Sequence, residues 1–315
     1  MIMEREIPVI FFDKETLKQG TDSWKWACKQ VRLGFEEQGC LEVVFDKVAA
    51  QVHNSVFDAT KDLFKLPVET LSRKTSDRLS VPYISNWSHN PLYESLGIDH
   101  SSTPQGVEKF TNIMWPQGND PFRESVVSFS KLMTELFETV TRMLFESYGV
   151  ERLHESVMKS TFHRLKLSKY RSPKEKETNL GLQPHTDKTF INIVHQHQVE
   201  GLQIKSNKDG HWLLDAKPSP NSFVVFAGDI LRAWSNDRIL PSEHRVIMKE
   251  GNKDRYVIAL FTYIDGIIEV PEEMVDNDKY PLQYKPIDHM TFLQSYFEDQ
   301  ELQKAPCPIK FFFGL

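Results

Sequence analysis

The chain has 315 residues, 40% hydrophobic and 26% charged, with a net charge of −6 and a pI near 6.0. That composition describes a folded globular protein rather than a disordered one, and its acidic balance offers no basic field for a nucleic-acid backbone or an anionic membrane. Three cysteines, Cys28, Cys40 and Cys307, with no C-x-x-C spacing, exclude a disulfide framework and a structural zinc cluster and indicate a reducing, cytoplasmic setting.

The opening stretch "MIMEREIPVIFF" carries acidic residues and neither an apolar leader nor a cleavage site. No apolar run approaches the roughly 18 residues of a membrane span. In that setting the N-x-S match at Asn86-Trp87-Ser88 is idle. No linker, repeat or low-complexity tract divides the chain, so one domain over 1–315 and a monomer are expected.

Residues 1–160 read as mainly helical. Helices are expected over 22–38 and 47–66, flanking a short strand at "CLEVVF". Residues 76–119 are rich in Ser, Asn, Pro and Gly and read as long ordered loops. A helix then starts at Asp120, an N-cap candidate followed by Pro121. Phe122, Val126, Phe129, Met133, Leu136, Val140, Met143 and Leu144 form its buried stripe, which stops at Gly149. Such a stripe is scaffold.

From residue 161 short β-rich segments alternate with turn residues: "TFHRLKLSKY", "TFINIVH", "GLQIK", "SFVVFAG", "HRVIM" and "RYVIALFTYI". This is the spacing of an antiparallel sandwich or barrel, extending over 161–270. Residues 271–315 return to helix near 288–304 and end in the apolar tail "IKFFFGL".

In "GLQPHTDKTF" His185 and Asp187 stand two apart, and in a strand such residues share a face. With 11 His and 44 acidic residues, a lone His-x-acid triplet is expected by chance. Its company gives it weight. "LPSEHRVIM" sets His244 at the start of a later strand, where it can enter from across the barrel, and Arg255 follows in "DRYVIALF". Two histidines and one carboxylate leave metal positions open, as in non-haem Fe(II) oxygenases and unlike a closed zinc site. An interior arginine calls for an anion, which a dicarboxylate cosubstrate supplies.

Rival positions exist. His195 and His197 of "HQHQ" are also two apart, but neither has an acidic residue at that spacing. The remaining histidines, 53, 89, 100, 154, 163, 211 and 289, have no partner at ligand spacing and read as surface or core residues. Glu243 would point away from His244 and form an ion pair. Asp229 reads as a turn carboxylate or a group orienting a loop near the metal, and Gly228 as a turn glycine. No Walker loop, G-x-G-x-x-G or G-x-S-x-G is present.

"IPVIFF", "GFEEQGCLEVV", "LFKLPVE", "GLQPHTD", "VEGLQI", "NSFVVFAGDILRAWSND", "EHRV" and "RYVIALF" together resemble the plant-type Fe(II)- and 2-oxoglutarate-dependent dioxygenases over almost the whole chain. "NPLYESLGI", "MWPQG" and "LSKYRSP" are similar to the branch with the alkenyl- and hydroxyalkyl-glucosinolate-producing and the auxin-oxidising dioxygenases. The resemblance implies a mainly β fold with α additions, a double-stranded β-helix (jelly-roll, cupin-like) core flanked by N-terminal and C-terminal helices. It assigns iron ligation to His185, Asp187 and His244, and the distal carboxylate of 2-oxoglutarate to Arg255 with Tyr170 as hydroxyl partner. Two positions depart from the family pattern: Val257 stands where Arg-x-Ser has its serine, and Ser168 where Asn-x-Tyr has its asparagine.

The implied activity is oxidation of a C–H bond in a small specialised metabolite or hormone, by hydroxylation, desaturation, demethylation or ring closure. It uses O2, releases succinate and CO2, and takes ascorbate as reductant. Tyr83, Trp87, Tyr93, Trp115, Trp234 and Phe261 are candidates for the apolar substrate lining, each also open to a packing role. The alternatives are a catalytically silent jelly roll that binds a small molecule, and a zinc hydrolase on a cupin-like barrel.

Overall fold

The computed structural model describes residues 7–76, 78, 83–85, 90–214, 218–251 and 253–315. Trp87, His89 and the Asn86-Trp87-Ser88 match lie outside the described residues.

The first half runs β1 (Val9–Phe12), α1 (Asp22–Gln38), β2 (Cys40–Phe45), α2 (Ala50–Leu63), α3 (Val68–Leu71), β3 (Tyr93–Asp99), α4 (Pro104–Met114), α5 (Asp120–Tyr148) and α6 (His154–Ser160). The β-rich part follows as β4 (Thr161–Tyr170), β5 (Leu180–His185), β6 (Ile191–Gln196), β7 (Leu202–Lys205), β8 (Trp212–Leu214), β9 (Ser222–Ala227), α7 (Asp229–Trp234), β10 (His244–Ile247) and β11 (Arg255–Ile264). The chain closes with β12 (Ile267–Ile268), β13 (Ile287–Asp288), α8 (His289–Glu298), α9 (Gln300–Lys304) and α10 (Pro308–Phe313).

Local chemistry sets the helix ends. Thr21 accepts from the Trp24 N–H to start α1, and Gly39 ends it at φ 72°, where a side chain would be strained. The long α5 is capped by Asn119, whose side chain accepts from the Phe122 N–H, so the cap falls one residue before the expected Asp120. Its apolar stripe is buried as expected.

Among the described residues, seven strands form one sheet in the order β1-β2-β9-β6-β11-β4-β3, and four form a second, β5-β10-β7-β8. Together they make the double-stranded β-helix. The larger sheet has two different faces. Leu165, Leu167, Ile191, Ile193, Phe223, Val225, Ile258 and Leu260 face the helices and join Val31, Phe35, Phe57, Phe129 and Leu136 in the main core. The alternate residues face the smaller sheet, where Val224 and Phe226 meet Leu202 and Ile204, and Tyr93, Tyr170 and Val257 meet Val246 and Met248. Covered on both sides, β9 is buried at every position.

Two expectations need correction. Residues 76–119 contain β3 and α4 in addition to loops. The helix expected over 288–304 is split at Asp299, whose carboxylate accepts from the Glu301 and Leu302 N–H groups and so caps a new helix, α9. The apolar tail is helical over α10, with Ile309 and Phe313 buried.

Candidate active site

His185 ends β5 and lies opposite His244, the first residue of β10, in antiparallel register. The histidines thus arrive from neighbouring strands of the smaller sheet. Asp187 stands just past the end of β5, in the turn that follows, and not on the strand as the two-residue spacing suggested. That turn is tied to the start of α7: the Asp229 N–H donates to the Asp187 carbonyl (2.8 Å), the Gly228 N–H to Phe190 (2.9 Å) and the Ile230 N–H to Thr189 (3.1 Å). Gly228 has to be glycine, because a Cβ there would come within 2.0 Å of the Thr189 carbonyl oxygen. Asp229 is buried and its carboxylate pairs with Lys188 at 2.8 Å, which makes it a loop-orienting group.

The Nδ1–H of His185 donates to the Gln183 carbonyl (2.8 Å) and that of His244 to the Ser242 carbonyl (3.2 Å). Each Nε2 atom is thereby left to face Asp187. The His185 Nε2 lies 3.6 Å from Asp187 Oδ1, and the His244 Nε2 3.6 Å from Asp187 Oδ2. These separations exceed a hydrogen bond. They suit three donors around one ion, and one donor atom from each residue falls within 4.8 Å of the other two. The Phe226 ring stacks on His244 at 4.5 Å and fixes its plane.

Electrostatics agree with a cation site. Solvent reaches 34% of the His185 side chain, yet the ring sits deep among protein atoms. Burial, then the His244 charge, push its pKa down to about 4, which keeps the imidazole neutral and able to ligate. Burial pushes the Asp187 carboxyl up, but the charges of His244 and His185 outweigh it and hold the group below its ordinary value. The Asn192 amide, whose oxygen accepts from Thr189 Oγ1–H (2.7 Å), faces the same carboxylate.

Arg255 opens β11 and pairs in register with Tyr170 at the end of β4. It is 1% exposed, its guanidinium carbon lies 5.1 Å from the centre of the Tyr170 ring, and its Nη2–H donates to Gln196 Oε1 at 2.5 Å. A guanidinium so placed offers a forked site for a carboxylate. Val257 packs with Tyr170, Val246 and Met248, so its position is filled by apolar contact. Ser168 hydrogen-bonds to the hydroxyl of Tyr93 (3.3 Å). Gln196 was missed in the sequence, although alternation with Asn192 and Val194 along β6 marks it as inward-facing.

The lining candidates divide. Tyr93 and Phe261 lie on inward faces of β3 and β11. Trp234 is 1% exposed and stacks on Phe145 (4.6 Å), and Trp115 packs on Phe122 (4.8 Å), so both belong to the helical core. Tyr83 packs against that core and hydrogen-bonds to Glu94. The rival pair is occupied elsewhere: the His195 Nδ1–H donates to the Ser222 carbonyl (2.9 Å), and its Nε2 accepts from His53 Nδ1–H (2.8 Å) on the helix side of the sheet. Glu243 pairs with Lys205 at 2.7 Å.

Comparison with known proteins agrees with this geometry. Residues 151–263 match the 2OG-Fe(II) oxygenase superfamily. The chain is 40% identical to the probable 2-oxoglutarate-dependent dioxygenase AOP1 of Arabidopsis thaliana, over 92% of this chain and 96% of that protein. It is 27% identical to the 2-oxoglutarate-dependent dioxygenase AOP2 of the same plant, over 93% and 94%. Among solved structures it is similar to the Arabidopsis dioxygenase for auxin oxidation 1 in complex with 2-oxoglutarate, with a TM-score of 0.77 and 29% identity over 87% of this chain and 99% of that one. A jelly roll that gathers two histidines and a carboxylate and buries an arginine, with relatives of near-equal length at this identity, places the chain in the 2OG-Fe(II) oxygenase superfamily, as a 2-oxoglutarate-dependent dioxygenase.

Proposed function

We propose that His185, Asp187 and His244 hold Fe(II), that Arg255 and Tyr170 hold the distal carboxylate of 2-oxoglutarate with Gln196 bracing the arginine, and that residues 1–315 act as one catalytic unit. The observation that carries this is the facing of two Nε2 atoms onto the two oxygens of one carboxylate, each at 3.6 Å. Iron with 2-oxoglutarate and O2 supplies oxidation of a C–H bond, with succinate and CO2 as co-products and ascorbate as reductant.

The protein's part is placement. Backbone carbonyls fix both imidazoles, the α7 turn fixes Asp187, and the space between the sheets excludes water and presents the substrate. The substrate is a small specialised metabolite or hormone, in line with the auxin oxidation named for the similar structure. Three unpaired cysteines suit a cytoplasmic enzyme. Among the described residues no helix is long and apolar enough to cross a membrane. The protein acts as a monomer.

The test is succinate formation from 2-oxoglutarate with Fe(II) and ascorbate, followed by mass spectrometry of a metabolite panel. Wild type turns over, and Asp187→Ala loses at least about a hundredfold, more than is typical for groups outside the ligand set. Full turnover in Asp187→Ala, or product formed equally without oxygen, overturns the reading.

A further inference from the structure

We propose that Lys166 anchors an anionic oxygen group of the organic substrate, a carboxylate or a sulfate, so that the enzyme acts on small acids with an apolar or aromatic body. This rests on the oxygenase reading given above and names the substrate class for that site.

Lys166 lies on β4, on the same inward face as Tyr170 and Ser168. Its register partners are Ala259 on β11, which leaves that side low, and Gly97 on β3, over which the Arg164 guanidinium lies. Its ammonium sits 5.3 Å from the centre of the Tyr93 ring and 5.3 Å from that of Phe261. These are the two lining candidates that the fold does turn inward.

The other basic groups along β4 have carboxylates. Arg164 pairs with Asp99 at 3.6 Å, and Lys169 with Glu94 at 3.5 Å and Asp254 at 3.6 Å. Among the described residues no carboxylate pairs with Lys166. Two aromatic faces stabilise an ammonium less than a paired carboxylate does, so Lys166 gains by meeting an anion. Phe261, whose ring Lys166 overlies, is in register with Asn192 and, beyond it, Phe226, whose ring stacks on His244 at 4.5 Å, so Lys166 borders the same inward face as the candidate metal ligands. It is also distinct from the cosubstrate anchor: four strand positions, roughly 13 Å, separate it from the level of Tyr170 and Arg255.

The test uses the full chain loaded with Fe(II) and 2-oxoglutarate under anaerobic conditions. Calorimetry measures binding of phenylacetate against phenylacetamide, octanoate against octanamide, and phenyl sulfate against phenol, for wild type, Lys166→Met and Lys166→Arg. The expected result is that wild type binds at least one anion about tenfold tighter than its neutral partner, that Lys166→Met loses this preference and that Lys166→Arg keeps it. The 2-oxoglutarate affinity stays within about threefold in all three proteins, because Arg255 carries that charge. The carboxylate and sulfate members show which anion is preferred.

A preference that survives in Lys166→Met, or a wild type that treats acids and neutral partners alike or binds neither, overturns the proposal. So does a loss of about tenfold or more in 2-oxoglutarate affinity in Lys166→Met, which makes the lysine a cosubstrate residue. Failure of wild type to bind 2-oxoglutarate at all refutes the oxygenase reading instead, and the same panel on metal-free protein then still reads the anion preference.

Discussion

At His185 and His244 the backbone decides which ring nitrogen is available, because each Nδ1–H is committed to the carbonyl two residues earlier. A glutamine at either position loses that fixed presentation, so His244→Gln is expected to weaken metal binding by at least about a hundredfold, read by metal titration of the folded protein. Arg255 is held differently, by Gln196 and the Tyr170 ring. Arg255→Met is expected to weaken 2-oxoglutarate binding by about a hundredfold or more with the metal site intact. Gln196→Leu should cost about tenfold, the scale of one hydrogen bond to a charged group. Calorimetry on metal-loaded protein checks both. Val257 adds no donor, and Gln196 reaches the arginine from the other neighbouring strand, β6.

At the scale of elements, legibility followed the chemistry of each strand's inner face. The segments β4 and β11 were readable to the residue, since their helix-facing positions Leu165, Leu167, Ile258 and Leu260 repeat at two-residue steps. The strand β3 was not, because Tyr93, Ser95, Gly97 and Asp99 face the space between the sheets and break the apolar alternation. For α4 the signal existed in Thr103 and Pro104, a cap and a first-turn proline, but the surrounding polar composition hid it. The convergence of His185, Asp187 and His244 was legible as a pattern, while the reason was misjudged: Asp187 is placed by the α7 turn and not by strand alternation. Gly228→Ala accordingly is expected to destabilise the protein by about 2 kcal/mol or more and to weaken metal binding, measured by chemical denaturation and metal titration. The N-terminus of α8 reaches the same turn, with the His289 Nε2–H donating to the Lys188 carbonyl at 2.9 Å. His289→Ala should reduce metal affinity by about tenfold without touching the metal.

For the whole molecule, buried imidazoles set the response to acid. Burial pushes His163 and His197 down to about 4 and His195 to about 3, whereas an unfolded chain takes up these protons near its ordinary imidazole value of about 6.5. Between those values the unfolded state binds more protons. Stability therefore falls as pH drops from about 6.5 toward about 4, by up to about 1.4 kcal/mol per pH unit for each group. Denaturant unfolding at about pH 7 and about pH 5 measures the slope, and His197→Gln should flatten it. The two faces of the seven-stranded sheet carry a further consequence. The largest apolar cluster lies on the helix side, while residues 166, 259 and 261 point the other way, toward the smaller sheet. A library randomising those positions is therefore expected to stay predominantly folded while its preferred molecules change, as read by soluble yield and by the metabolite panel.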